Sequence, residues 1–322
     1  MRLLRAARTI RSLKSLRSIR FIESIDLEDD KKEPTRKKTN HTDMKRTLMM
    51  TMAVTLGMML GGCGSKKEAV TLTILHTNDT HSQVEPKADN DRGGYARRMS
   101  YITAEREQDP ELLLLDAGDF WQGTPYFNFL HGRVEVDALN RMGYDAATLG
   151  NHEFDNGVDT LAAVLREAKF PIVCANYRVE GTPLEGIVKP YIIVKRKGVK
   201  VGIIGLGVKP DALIAKENFA PVVWEHPYAV ANRTAERLKK KEGCDVVVVL
   251  SHLGTEVSHG DTEGICDRSL AEQSRNIDVI IGGHTHKVVE HLTVQNLDGE
   301  PVVLRQTGKS GVNMGKLTLT IE

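Results

Sequence analysis

The chain has 322 residues, 44 of them Lys or Arg and 43 Asp or Glu, and 40% are apolar. That is length for one large domain or two small ones, with enough apolar residues for a real core. The near balance of charge hides an asymmetry: residues 1–62 carry 14 basic and 7 acidic side chains, so from Cys63 onward 30 basic face 36 acidic, a formal charge of −6. An acidic body of this kind excludes a nucleic-acid groove, which needs a basic face.

Residues 2–20 place Arg or Lys at every third position, from Arg2 to Arg20. A basic amphipathic helix at a membrane surface has this composition, but a period of three drifts around a helix of 3.6 residues per turn and holds no single face. Residues 26–43 are polar and mixed in charge. Residues 1–43 therefore read as an upstream mis-start or a disordered leader. Met44 begins a better N-terminus, with Lys45-Arg46 ahead of a Met-rich apolar stretch from Leu48 to Leu60. The stretch is short for a bilayer span and has the layout of an export signal. Leu60-Gly61-Gly62-Cys63 resembles the bacterial lipobox. That resemblance implies a signal peptide over 44–62, a lipid anchor on Cys63 and a tether over 63–69. The protein is then expected in the bacterial cell envelope, and Gly64 in place of Asp favours the outer membrane.

The folded region starts near Val70. Thr71–His76 predicts a strand, Gly94–Gln108 a helix, and the unbroken apolar run Leu112–Asp116 a buried strand. Val134–Met142 predicts a helix, Ala146–Leu149 a strand, Val158–Ala168 a helix, and Phe170–Cys174 a short strand. Tyr191–Lys195 and Lys200–Leu206 form a hairpin about Lys197-Gly198, and 208–227 is irregular. Tyr228–Lys241 is a helix, Asp245–Leu250 a Val-rich strand, Ser269–Arg275 the end of a helix, and Ile277–Ile281 the next buried strand. Val302–Arg305 and Lys316–Ile321 have β pattern. Helices alternate with buried strands in the middle and strands gather late, which favours an α/β sandwich with mixed sheets over a single doubly wound sheet. With Cys63 lipidated, Cys174, Cys244 and Cys266 remain, and an odd number leaves a free thiol. Cys174 and Cys244 lie against apolar strands, as small buried thiols do.

Five of these strand-like runs end in polar groups: Asp79-Thr80-His81, Gly118-Asp119, Gly150-Asn151-His152-Glu153, Ser251-His252, and Gly283-His284-Thr285-His286. Strand ends of open α/β sheets are where such folds keep their chemistry. One histidine in a loop is ordinary; five such stretches, each closing a strand, form a pattern. On an extended strand end, Asp79 and His81 would point to one side, as would His284 and His286. Oxygen donors mixed with imidazoles suit Zn, Mn or Fe better than Ca. Seven donors exceed one tetrahedral ion and suit two ions about 3.5–4 Å apart sharing a carboxylate. His76, His131, His226, His259 and His291 lack this context and read as structural. Asp116 and Glu153 read as scaffolds of their loops.

The order Asp-x-His, Gly-Asp, Gly-Asn-His-Glu, His, Gly-His-x-His resembles that of the calcineurin-like metallophosphoesterases. Leu75-His76-Thr77-Asn78-Asp79-Thr80-His81 and Gly150-Asn151-His152-Glu153-Phe154-Asp155 are similar, more narrowly, to the bacterial 5′-nucleotidase/UDP-sugar hydrolase family, over its N-terminal metal-binding domain, here 70–322. The resemblance implies a four-layer α/β/β/α sandwich with two mixed sheets. It implies two divalent metal ions (Zn, Mn, Fe or Co), one held by Asp79, His81 and His286, the other by Asn151, His252 and His284, with Asp119 bridging. A hydroxide between the ions would attack phosphorus in line. His152 would stabilise the transition state and protonate the leaving alkoxide, with Asp155 orienting it.

The implied substrate is a small phosphate ester, a nucleotide. The family's C-terminal domain supplies base-stacking aromatics and arginines, and aromatic residues amount to only 5% here. Base recognition is therefore expected to be missing or to come from a separate chain resembling that C-terminal domain. Alternatives are a cyclic-nucleotide phosphodiesterase or another ester hydrolase on the same scaffold, and a non-catalytic lipid-anchored binding or assembly subunit. A solute-binding lipoprotein leaves histidines at so many strand ends unexplained.

Overall fold

The computed structural model describes residues 18–26, 69–258 and 263–321. The signal-peptide, lipobox and tether readings before Ala69, and His259, lie outside the described residues. In chain order the strands are β1 (Ser18–Asp26), β2 (Val70–Thr77), β3 (Leu113–Asp116), β4 (Ala146–Thr148), β5 (Ile172–Val173), β6 (Tyr177–Arg178), β7 (Val188–Lys189), β8 (Tyr191–Arg196), β9 (Val199–Leu206), β10 (Val223–Trp224), β11 (Val246–Ser251), β12 (Val279–Gly282), β13 (Val288–Gln295), β14 (Pro301–Thr307) and β15 (Asn313–Ile321). The helices are α1 (Tyr95–Gln108), α2 (Pro125–Leu130), α3 (Arg133–Met142), α4 (Gly157–Leu165), α5 (Lys216–Phe219), α6 (Pro227–Lys240) and α7 (Asp267–Glu272).

Two mixed sheets carry the fold. One runs β1-β15-β2-β3-β4-β5-β7 and the other β13-β14-β12-β11-β9-β8; β6 and β10 form a small ribbon. β2, β3 and β4 are mutually parallel neighbours in the first sheet, and β9, β11 and β12 in the second. The alternation of side chains along a strand decides the layering. Leu113 and Leu115 face the second sheet, where Val246, Val248 and Leu250 meet them. Leu112 and Leu114 point the other way, onto Ile102 of α1 and Leu139 of α3. Val247 and Val249 likewise turn outward onto Ala231, Ala235 and Leu238 of α6 and Leu270 of α7. The result is helix, sheet, sheet, helix, the four-layer sandwich expected from the family resemblance. Strands with both faces covered read as continuous apolar runs, which is why these central elements were legible.

The β8–β9 hairpin closes about Lys197-Gly198, pairing Lys195 with Lys200. Several elements fall outside the sequence expectation. Within residues 1–43, where the pattern predicts no element, β1 pairs antiparallel with β15 through Ser18↔Thr320 and Asp26↔Asn313. β13 is a half-exposed edge strand paired, among the described residues, to β14 alone, so it lacks the apolar run that marks a buried strand. The irregular 208–227 contains α5 and β10, both too short to show a period. Cys174, Cys244 and Cys266 are buried free thiols.

His76 on β2 is 1% exposed, and its Nδ1 has no hydrogen-bond partner among the described residues. Burial, assisted by the Arg305 cation, lowers its pKa from 6.5 to about 3. The unfolded chain therefore takes up this proton more readily than the folded one. The neutral ring costs nothing above pH 6.5, and stability drains away as pH falls from 6.5 towards 3, by up to about 1.4 kcal/mol per pH unit. Urea unfolding at pH 7 and pH 4.5 should show a smaller acid loss in His76→Gln than in wild type; equal losses would show that His76 does not titrate in this way.

Candidate metal centre

The parallel strands β2, β3 and β4 end in the loops that carry Asp79, His81, Asp119, Asn151 and His152, and β11 and β12 end in those that carry His252, His284 and His286. Backbone hydrogen bonds run on past the strand ends: Asp79 N–H donates to Gly118 O at 2.9 Å and His81 N–H to Asp119 O at 3.0 Å. The two loops of the first sheet are thus laced together before any side chain is considered. His252 N–H donates to Leu206 O at 2.8 Å, fixing its loop against the end of β9.

The extended geometry expected of the Asp-x-His and His-x-His pairs is not what the loops adopt. Asp79, His81, Asp119, His284 and His286 all have left-handed backbones, with φ between 45° and 72°. Five of the seven expected ligands therefore sit in a region that non-glycine residues rarely occupy, and such strain clusters at functional sites. The left-handed turns also separate His284 from His286, which would otherwise share a side. His286 joins Asp79 and His81, whereas His284 joins Asp119 and His252.

In the first group, His286 Nε2 lies 3.3 Å from Asp79 Oδ1, and the Nε2 atoms of His81 and His286 stand 2.9 Å apart. In the second, His252 Nε2 is 3.0 Å from Asp119 Oδ2, and His284 Nδ1 is 3.1 Å from Asn151 Oδ1. Asp119 also belongs with His81 and His152 in a third group of donors, which puts its carboxylate between the other two. All seven expected ligands are accordingly drawn to one rim of the sandwich, together with His152.

These donors fit divalent cations better than they fit one another. His252 Nδ1 bonds to Ala117 O at 2.7 Å, which leaves Nε2 of a neutral ring with a lone pair aimed at a carboxylate. Among the described residues that buried nitrogen has no hydrogen-bond partner. Only a proton or a metal reconciles two electron-pair donors held so close. Burial opposes charge on His252, but the Asp119 and Asp79 carboxylates outweigh it and push its pKa up to about 10. Burial would likewise raise Asp119, yet the His252, His152 and His81 rings hold it well below the usual carboxylate range. His284 moves the other way, to about 4, through burial and the neighbouring His252. A set that concentrates protons where oxygen and imidazole converge is one in which cations compete with those protons.

His152 stands at the edge of this cluster, its Nδ1 2.9 Å from Asp155 Oδ2. Its backbone N–H donates to Asp119 Oδ1 at 2.9 Å. Burial disfavours its charged form, but Asp155, Asp119 and Glu153 prevail and raise its pKa above the ordinary imidazole value. Asn218 Nδ2 donates to Asp155 O at 2.9 Å, tying the pair to α5.

Several supporting residues carry no ligand of their own. Glu153, fully buried, accepts from the N–H groups of Gly150 at 2.6 Å, Asp119 at 3.0 Å and Trp121 at 3.2 Å. It binds two ligand loops to each other, the scaffold role read from sequence. Asp116 does the same for its own loop, accepting from Gly118 N–H at 2.9 Å. Asn78, singled out by no sequence argument, donates to Asp79 Oδ2 at 2.5 Å and accepts from Thr307 N–H at 2.8 Å. Asp267 accepts from Ser251 Oγ at 2.5 Å beneath His252. Asn78 could have been noticed beside Asp79; Asp267 gave no signal, being 15 residues beyond His252 on a different element. Gly150 shows why the turn excludes side chains: a Cβ there would lie 2.1 Å from Asp119 Oδ1.

Residues 72–288 match the profile of the calcineurin-like phosphoesterases. The chain belongs to that family. It is 35% identical over 228 residues to a rat 5′-nucleotidase, covering 67% of this chain and 38% of the relative. It is 31% identical over 283 residues to the trifunctional nucleotide phosphoesterase YfkN of Bacillus subtilis, covering 78% of this chain and 18% of that one. The crystal structure of a 5′-nucleotidase precursor from Thermus thermophilus superposes with a TM-score of 0.69 at 34% identity, over 79% of this chain and 52% of that chain. The chain thus spans well under two thirds of the length of these relatives. Calcineurin-like phosphoesterases are hydrolases that work with divalent metals, and the Asp and His groups described above are ones that could hold such ions.

Proposed function

We propose that this chain is a metal-dependent phosphomonoesterase of the 5′-nucleotidase type, acting at a centre of two divalent cations. The position of Asp119 between the two donor groups carries the reading, because a shared carboxylate is what distinguishes a paired centre from two separate sites. Asp79, His81 and His286 would hold one cation, Asn151, His252 and His284 the other, and Asp119 both. When bound, the cations supply a water nucleophile activated at neutral pH and neutralise charge on the phosphate. The chain's own acid is His152. The neighbouring carboxylates favour its protonated form, and Asp155 on Nδ1 leaves Nε2 free to donate to the oxygen of the leaving group. Asp119 Oδ1, by accepting the His152 N–H, keeps that ring beside the metal donors. Relatives named as 5′-nucleotidase and nucleotide phosphoesterase support a nucleotide as the ester.

Chain supplied with Mn or Co should hydrolyse p-nitrophenyl phosphate. His152→Ala should lose about 10²- to 10⁴-fold in kcat, the worth of a general acid, while retaining its metal content by elemental analysis. Wild-type turnover in that variant would remove His152 from the chemistry. A metal-loaded wild type without turnover would instead support a binding or assembly role.

We also propose that Cys63 carries a lipid anchor in a bacterial envelope, on the strength of Leu60-Gly61-Gly62-Cys63. Cells fed labelled palmitate should label the wild type and not Cys63→Ser; equal labelling of both would end this proposal.

A further inference from the structure

Of the seven expected ligands, His286 is among the least supported, with its side chain 35% exposed and its backbone at φ 55°. What restrains it is not on its own loop. Gln306, fully buried on β14, accepts through Oε1 from Thr285 Oγ1 at 3.0 Å and from Lys287 N–H at 3.3 Å. These are the residues on either side of His286. The same oxygen accepts from Thr255 Oγ1 at 3.0 Å, and Thr255 N–H in turn donates to Thr285 Oγ1 at 3.3 Å. Because the Lys287 N–H can only donate, the amide must face it with its oxygen. The amide nitrogen has no partner among the described residues, so the side chain's buried work rests on that single acceptor.

We propose that Gln306 is the positioning residue for His286, and so sets the geometry of the cation site formed with Asp79 and His81. The proposal rests on the two-cation reading of the centre. The last residue of the strand and those just after it act on the same span. Thr307 N–H and Thr307 Oγ1 both donate to Asn78 Oδ1, at 2.8 and 2.6 Å. Asn78 Nδ2 donates to Gly308 O at 2.8 Å and to Asp79 Oδ2 at 2.5 Å. Gly308 N–H donates to Lys287 O at 2.8 Å, and Ser310 N–H to Asp79 O at 2.7 Å. One strand end therefore grips Asp79 from the first sheet and His286 from the second, and fixes the span between them. Gln306 is the member of this brace whose side chain touches both neighbours of a ligand.

The test is metal affinity, measured by competition with a chromophoric chelator for Mn or Co. Gln306→Met keeps the volume and removes the acceptor; it should weaken the site of Asp79, His81 and His286 by about 10- to 100-fold, as loss of an outer-shell partner does. Gln306→Glu, which still offers an oxygen, should remain near wild type. With excess metal, Gln306→Met should regain turnover on p-nitrophenyl phosphate with KM unchanged. Wild-type metal affinity in Gln306→Met overturns the proposal, including the case where only the metal-free melting temperature falls. If Gln306→Met does not fold, Thr255→Val removes one of the three donors and should weaken binding by about 2- to 10-fold; unchanged affinity there overturns it equally. A wild type that binds metal without turning over would defeat the phosphatase reading while leaving the affinity comparison intact, and one that binds no metal would defeat both.

Discussion

The site depends on one buried carboxylate held between imidazoles from two different sheets. Asp119 is 2% exposed, its Oδ2 lies 3.0 Å from His252 Nε2, its carboxylate also neighbours the rings of His81 and His152, and its Oδ1 accepts the backbone N–H of His152. Assembling so many electron-pair donors out of water is unfavourable unless positive charge is shared among them. The protein meets that cost with the packing of the two sheets, whose interior of Leu, Ile and Val lies below the rim. The loops above inherit their positions from strands that are fixed for unrelated reasons of apolar burial.

Local backbone conformation is where sequence and chemistry meet most directly. Left-handed turns at Asp79, His81, Asp119, His284 and His286 aim side chains inward that an extended chain would spread along the rim. Glycines admit the crowding: a Cβ at Gly283 would lie 2.7 Å from His252 Nδ1. Buried acceptors then hold the turns in place, Glu153 by three backbone N–H groups and Asn78 by its link to Thr307. The strain is distributed over several loops, each braced by a neighbour from another strand.

The layered sandwich and the candidate ligands gathered at its rim were legible in the sequence because both leave local signatures. Buried parallel strands read as unbroken apolar runs, as in Leu112–Leu115 and Val246–Leu250, and each donor follows such a run within a few residues. Elements without that signature were missed. β13 is half exposed, and α2 spans six residues with a Pro start as its only mark. β1 joins the sheet by its backbone. Extended strands would place Asp79 with His81 and His284 with His286; the left-handed turns keep the first pair together and send His284 and His286 to different groups. Gln306 and Asp267 lay beyond any local reading, since their meaning comes from contacts to loops distant along the chain.

The most direct test is anomalous diffraction from crystals grown with Mn. The account predicts two peaks at the rim, one against Asp79, His81 and His286, the other against Asn151, His252 and His284, with Asp119 touching both. A single peak, or two peaks of which Asp119 touches only one, would contradict it.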